Sequence, residues 1–370
     1  MRILLEPQIF KDQKFGGISR YFSEIYKHIR NENSDSIQLP LDYTENLHIK
    51  DQITAEIPFL YNLGMKIPFL KKKCRKKLVK LSVKKAKKIL KQQEYDLVVP
   101  TYYNPYFLEL IGNKPFVLTV YDMIHETFPN YFNDDNHTVP NKKLLMEKAN
   151  KIIAISQSTK NDILKFYPNI DANKIEIIYL SQSIDTQNYV TVDLPENFIL
   201  FVGNRGLYKS FSFFIEAVAD LVLESTDLHI VCAGGNAFKS EEIELINSLQ
   251  LTNRIIQQNF EDDELASYYT KAKCFVFPSE YEGFGIPVLE SMACGCPIVL
   301  AHHSSFPEVA GDAGVYFELN NKHDLKEKVS LLLHDENVRK QYITKGYEQA
   351  QKFSWKKTAE ECYALFKTVI

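Results

Sequence analysis

Short apolar runs rich in β-branched and aromatic residues recur along this chain, with amphipathic helical stretches between many of them. "RILLE", "DLVVPT", "FVLTVY" and "IIAIS" fall in the first half, and "FILFVG", "LHIVCAGG", "CFVFP" and "PIVL" in the second. Runs of this length without polar alternation suit strands buried on both faces. Between the first of them, Ile18, Phe22, Ile25 and Ile29 recur at steps of four, three and four, the stripe of a helix. Alternation of this kind predicts an α/β chain of parallel sheets with crossover helices. At 370 residues the chain exceeds one ordinary core and suits two domains. The polar stretch 185–197, which contains Pro195 and precedes a fresh strand, is the expected boundary. It divides a domain at 1–188 from one at 189–350. A final helix at 351–370 opens on Ser354 as a cap and carries the only tryptophan, Trp355, as a packing anchor.

Several classes of protein fit poorly. There is no run of about 18 apolar residues, so no spanning helix is expected. "MRILLEPQIF" reads as a first strand rather than a secretion signal. The six cysteines form no C-x-x-C pair, and no histidine stands at ligand spacing from Cys294 and Cys296. Reduced thiols in a cytosolic protein are expected, with no metal and no bound cofactor.

Two doubly wound domains bind ligands at the carboxyl ends of their strands. Four stretches at such positions carry the candidate chemistry. In "FVGNRGLYKSF", Gly203 and Gly206 permit a tight turn, and Arg205 and Lys209 project from a loop that opens a helix. Cations beside helix-terminal amides suit a diphosphate, although a solvated basic loop has the same composition. "PSEYEGFGIPVLESMACGCPIV" places Glu282 in a loop and Glu290 about one turn into a helix that begins near Pro287 and ends at Gly295. Carboxylates there can accept hydrogen bonds from vicinal sugar hydroxyls, while the amides of Gly283, Phe284 and Gly285 can hold phosphate or polar sugar groups. The bland alternative is two acids that complement the helix dipole. Gly16 and Gly17 in "KFGGISRYF" allow close backbone approach to a ligand, or make a plain strand–helix turn. In "TVYDMIHETFP", Asp122 and His125 follow a strand and can orient an acceptor hydroxyl, or His125 is an ordinary loop histidine.

Taken in order, "GNRGLYK", "IIAISQSTKNDILKFYP", the Glu282-x7-Glu290 pair and the terminal "FSWKKTAEE" resemble the family 4 glycosyltransferases of the two-domain type called GT-B, over nearly the whole chain. The resemblance implies two Rossmann-like domains facing across a cleft, with the C-terminal helix crossing back to the first. It implies a nucleotide-sugar donor, retention of anomeric configuration and no catalytic metal. By matching positions, Glu290 would bind the donor ribose, Glu282 the transferred sugar, and Arg205 and Lys209 the diphosphate, with Gly16 and Gly17 against the donor from the other domain. Tyr121-Asp122 stands where the family often has His-Asp, and Ser181 where it usually has glycine. A sugar-nucleotide epimerase, a phosphorylase of the same fold and a non-catalytic nucleotide-sugar-binding protein are the competing functions. The likeness to bacterial surface-polysaccharide mannosyltransferases leans toward GDP-mannose, with UDP-sugars next.

Charge is spread unevenly. Net charge is −3, yet residues 71–91 carry twelve Lys or Arg and no acid, which leaves the remainder at −15. Val79, Val83, Ala86 and Leu90 recur at steps of four, three and four, so 76–91 reads as a helix with one apolar stripe. Like charges repel along a helix, and an anionic membrane would relieve them. Lys84, Lys85, Lys87 and Lys88 are the expected contacts at the inner face of a membrane, near a glycan or lipid-linked acceptor. The other reading is a surface helix exposing lysines to water. Nucleic acid fits poorly, since no aromatic residues interleave the run.

Overall fold

The computed structural model describes residues 1–32, 36–53, 67–132 and 137–370. The chain divides into two compact units. The first comprises Met1–Ile155, Thr159–Tyr179 and Trp355–Ile370; the second comprises Ser156–Ser158 and Leu180–Ser354. The division near residue 180 precedes the expected one. Part of the polar stretch is strapped to the second unit: Val190 N donates to Asp263 O at 2.8 Å, and Val192 N to Ser267 Oγ at 3.0 Å.

In the first unit, β1 (Ile3–Glu6), β2 (Ile37–Gln38) and β3 (Leu97–Pro100) form a parallel row ordered β2-β1-β3. A second parallel row, β4-β5-β6, comprises Val117–Val120, Lys151–Ala154 and Ile175–Ile177. A parallel bridge from Val98 to Phe116 links the two rows. The striped helix runs Gly17–Glu32 and buries Tyr21, Phe22, Ile25, Tyr26 and Ile29. The helix Trp355–Lys367 packs on it, with the Trp355 ring 6.4 Å from that of Tyr21. The end of the chain thus returns to the first unit.

The second unit is built on one parallel sheet ordered β12-β11-β10-β7-β8-β9. Its strands are β7 (Phe198–Val202), β8 (His229–Ala233), β9 (Ile255–Gln258), β10 (Cys274–Phe277), β11 (Ile298–Ala301) and β12 (Gly314–Phe317). Phe198, Ile199, Leu200 and Phe201 of β7 are fully buried. Each such side chain contributes about 1.5–3 kcal/mol through burial. The Phe201 ring meets Phe211 and Phe214 of the next helix at 5.3 and 6.0 Å, which fixes that helix on the sheet.

β2, β6, β9 and β12, which the apolar runs did not mark, all terminate rows. An edge strand pairs on one side only and does not require a continuous apolar run. Thus β6 reads Ile-Glu-Ile and β9 ends in two glutamines.

The basic stretch is helical over Pro68–Gln92. Its buried stripe is Leu78, Ser82, Ala86 and Leu90, while the expected Val79 and Val83 are only half-buried. Ser82 holds a core position because its hydroxyl accepts from Asp42 N at 3.3 Å. Lys85 pairs with Asp42, Arg75 lies 2.5 Å from Glu45, and Lys87 sits 5.4 Å from the centre of the Tyr106 ring. The side chains of Lys84 and Lys88 are exposed.

Candidate donor site in the second unit

The chain passes from β7 to β8 and β9 on one side of the sheet, then returns to lay β10, β11 and β12 on the other. β7 and β10 are therefore neighbours at the point where the winding reverses, with Ile199 beside Cys274 and Leu200 beside Phe275. Loops leaving the carboxyl ends at such a switch point diverge and open a crevice. Here they are Gly203–Ser210 and Pro278–Gly285, the two stretches richest in candidate residues.

Gly203 adopts φ +100°, and a Cβ built on it meets nothing within 4 Å, so its open face gives onto free space. Lys209 Nζ is bonded to Glu282 Oε1, and its ammonium lies 5.1 Å from the centre of the Tyr208 ring and 5.0 Å from that of Phe277. Glu280 N donates to Tyr208 O at 2.8 Å, and Ser210 Oγ donates to Glu280 Oε1 at 3.0 Å. Residues more than seventy apart in sequence are thereby joined into one surface.

The second loop is held by the turn that follows β11. Ser304 Oγ donates to Glu282 O at 2.6 Å and accepts from Glu282 N at 3.2 Å. Ser305 Oγ lies 2.9 Å from the carbonyls of both Glu282 and Phe284. Phe284 is buried, its ring 5.9 Å from Phe353. Gly285 then takes φ +96° and opens the helix Ile286–Ala293; a Cβ there would lie 3.1 Å from Val288 Cγ2. Glu290, in the second turn, is buried and accepts from Tyr269 OH at 3.4 Å. Burial holds the Tyr269 phenol well above its ordinary pKa, with the Glu290 charge as a further cause, so the hydroxyl remains a donor.

Arg205 does not lie where the sequence placed it. Its side chain is 2% exposed. Nε donates to Glu242 Oε1 at 3.1 Å, Nη1 to Gly234 O at 3.1 Å, and Nη2 to Asn236 O at 2.8 Å and Ala237 O at 3.0 Å. The guanidinium lies 4.7 Å from the Phe238 ring. Glu242 in turn accepts from Lys239 N at 2.7 Å and caps the following helix. Arg205 thereby ties its own loop to the loop after β8. The cause is Glu242, 37 residues on, whose carboxylate offers a buried partner.

Of the remaining candidates, Gly16, Gly17, Asp122 and His125 belong to the first unit. Gly17 opens the striped helix, and Gly16 N donates to His48 Nε2 at 3.4 Å. Asp122 Oδ1 accepts from Ile124 N at 3.1 Å at the start of a short helix, Ile124–Thr127. His125 is half-buried, its ring 4.1 Å from that of Phe132. Burial pulls its pKa below the ordinary value, so the imidazole is uncharged at neutral pH. Behind this turn lies Lys142, fully buried, with Nζ 2.8 Å from Glu126 Oε2 and 3.0 Å from Asp122 O.

Sequence reasoning missed Ser304, Ser305, Tyr269, Glu242 and Lys142. The two serines do follow an apolar strand run, the position that marked the other loops. The other three sit within helices and carry no local signal. Among the described residues, no group of three His, Cys, Asp or Glu side chains is placed to hold a metal ion. None of their helices is long and apolar enough to cross a membrane.

Comparison with known proteins gives matches to two family models in tandem. "Glycosyltransferase Family 4" matches residues 15–181 and "Glycosyl transferases group 1" matches 185–349. O-antigen chain mannosyltransferase B of Escherichia coli is 27% identical over 287 residues, covering 72% of this chain and 73% of the relative. The N-acetylgalactosamine-N,N'-diacetylbacillosaminyl-diphospho-undecaprenol 4-alpha-N-acetylgalactosaminyltransferase of Campylobacter jejuni is 29% identical over 311 residues, covering 80% of each chain. Among solved structures, Anabaena HepE in complex with UDP-glucose superposes over 100% of both chains with a TM-score of 0.72 at 19% identity. WaaG, a glycosyltransferase involved in lipopolysaccharide biosynthesis, gives 0.68 at 14% identity, covering 98% of this chain and 99% of the other.

Proposed function

The chain belongs to the family 4 glycosyltransferases and has the GT-B fold, and from that premise we propose that it moves a hexose from a nucleoside-diphosphate sugar to a glycan or lipid-linked acceptor in surface-polysaccharide synthesis, with retention of configuration. The observation that carries this reading is the meeting of Lys209 with Glu282 at the switch point, one loop from the buried Glu290. In it Lys209 faces the diphosphate, Glu282 takes hydroxyls of the transferred sugar, and Glu290, set by Tyr269, takes the ribose. Arg205 acts through the loop after β8.

Transfer breaks the bond from the anomeric carbon to the β-phosphate oxygen and forms one to an acceptor oxygen on the same face. The departing phosphate oxygen takes the acceptor's proton. Negative charge grows on that phosphate, and Lys209 stabilises it where it develops, without a metal ion. Asp122 and His125 are the candidates for orienting the acceptor hydroxyl.

The mannosyltransferase relatives support a mannose donor, and GDP-mannose is the first choice. HepE with UDP-glucose makes UDP-sugars the alternative. The Campylobacter enzyme's name, with its diphospho-undecaprenol, supports a lipid-linked acceptor. A thermal-shift panel of nucleotides and nucleotide sugars tests the donor, since a true ligand raises the melting temperature by mass action. Hexose transfer from the stabilising donor to a lipid-linked glycan is the expected result. Stabilisation by no nucleotide would refute the reading.

The basic helix supports peripheral contact with an anionic membrane at its cytoplasmic face. Phe69 at its start is 81% exposed, and Lys84 and Lys88 face outward. Each lysine near such a surface contributes about 1 kcal/mol. Sedimentation with anionic vesicles, lost when Lys84, Lys85, Lys87 and Lys88 become Gln, is expected. Equal recovery with neutral vesicles would remove the membrane.

A further inference from the structure

Lys209 already has a counterion. Its ammonium is bonded to the Glu282 carboxylate, and its other close neighbours are the rings of Tyr208 and Phe277, which carry no formal charge. Both side chains are largely withdrawn from water, at 20% and 15% exposure, so the pair is poorly screened. The Glu282 main chain is fixed by Ser304 at its N–H and carbonyl, and by Ser305 at its carbonyl. The neighbouring carboxylate, Glu280, is occupied by Ser210. Glu282 can therefore give up Lys209 by turning its side chain, with no movement of the loop.

We infer that Glu282 competes with the diphosphate for Lys209, so that the site holds an intact nucleotide sugar and rejects the nucleoside diphosphate left after transfer. This rests on the proposed donor site. A diphosphate that reaches Lys209 displaces the Glu282 carboxylate. When a hexose is attached, its hydroxyls receive the displaced carboxylate as hydrogen-bond donors. Once the hexose has gone, the carboxylate faces the diphosphate as like charge beside like charge, in a site of low screening. Re-pairing of Glu282 with Lys209 then favours release of the product. The same carboxylate thus takes part in recognising the sugar and in clearing the site.

The test is calorimetric titration with UDP and GDP, each against UMP and GMP, on the wild type, Glu282→Gln, Lys209→Met and the double variant. The monophosphates report the base and ribose contacts, and the diphosphates add the charge facing Lys209. Glu282→Gln keeps the shape and removes the charge. It is expected to tighten the diphosphate about tenfold, the scale of one charged hydrogen bond discounted for partial exposure, with little change for the monophosphate. Release of the diphosphate, followed by stopped flow, slows in proportion. Lys209→Met abolishes the preference for diphosphate. The double variant binds the diphosphate somewhat more tightly than Lys209→Met, since the Glu282 charge is gone, but by less than Glu282→Gln gains over the wild type; that difference isolates the exchange, and the double variant leaves neither charge unpaired should a single variant fold poorly.

If Glu282→Gln leaves diphosphate affinity unchanged or weaker while Lys209→Met weakens it, the exchange is overturned and Lys209 keeps its place at the diphosphate. If Lys209→Met binds the diphosphate as the wild type does, both the exchange and the proposed diphosphate contact fall.

Discussion

Each unit holds a Lys–Glu pair beside candidate residues, and the two pairs differ chiefly in burial. In the first unit, Lys142 and Glu126 lie 2.8 Å apart with side chains 0% and 5% exposed. Lys142 is bound as well by the Asp122 carbonyl and lies 5.5 Å from the centre of the Tyr103 ring, while Tyr167 OH donates to Glu126 at 3.3 Å. The Lys142 ammonium and the Glu126 carboxylate are thus satisfied by partners inside the protein. In the second unit, Lys209 and Glu282 join the two switch-point loops at 20% and 15% exposure, with the Tyr208 and Phe277 rings beside the ammonium. Removing one partner of a buried pair strands the other charge at a cost of about 3–5 kcal/mol, whereas a more exposed charge is solvated by water when its partner leaves. The first lies behind the turn that carries Asp122 and His125; the second is where the proposed diphosphate contact and its exchange are to be tested.

Four substitutions sharpen or break that contrast. Lys142→Met strands the Glu126 charge in the core and is expected to cost about 3–5 kcal/mol of stability, read by denaturant titration. A variant as stable as the wild type would end the comparison, since the buried pair would then be dispensable. Lys209→Ala acts on chemistry instead. Turnover should fall roughly a hundredfold or more, by analogy with a lost oxyanion donor, with the unfolding midpoint little changed. Unimpaired transfer would remove Lys209 from the site. Glu290→Ala is expected to weaken free-nucleotide binding about tenfold, the loss of one charged hydrogen bond, while the fold persists; unchanged nucleotide affinity in a titration would cancel the ribose role. The smallest effect belongs to a third pair, Lys85 with Asp42, which lies on the surface at 45% and 33% exposure. Lys85→Gln should change stability by less than about 1 kcal/mol, and a larger loss would mean that burial does not rank these pairs.

Much of the fold was legible because buried strands of a parallel sheet advertise themselves as unbroken apolar runs. All eight runs quoted from the sequence contain a strand, among them β7, β8, β10 and β11 at the centre of the second sheet. The striped helix was legible for the same reason, since a one-sided core contact imposes the period of 3.6. The basic helix was located, but its register was not. Ser82 faces the core through a hydrogen bond to Asp42, and a rule that counts apolar side chains passes over it.

The site divides along a similar line. Gly203, Lys209, Glu282 and Gly285 were marked as candidates by their place soon after a strand, and Glu290 by its spacing from Glu282 in the helix that follows. Arg205 met the same criterion, and its guanidinium is buried against Glu242 and the loop after β8. Local sequence established the residue types and their positions after strands, for these depend on neighbours a few places away. Which strands lie side by side depends on the crossovers, and here the reversal between β7 and β10 brought Lys209 to Glu282. The reach of Glu242 to the Arg205 guanidinium is of the same kind. Two cations four residues apart in one loop thereby have different partners, Glu242 for Arg205 and Glu282 for Lys209, because a charge pairs with what the fold brings within hydrogen-bonding distance, and that depends on residues far along the chain.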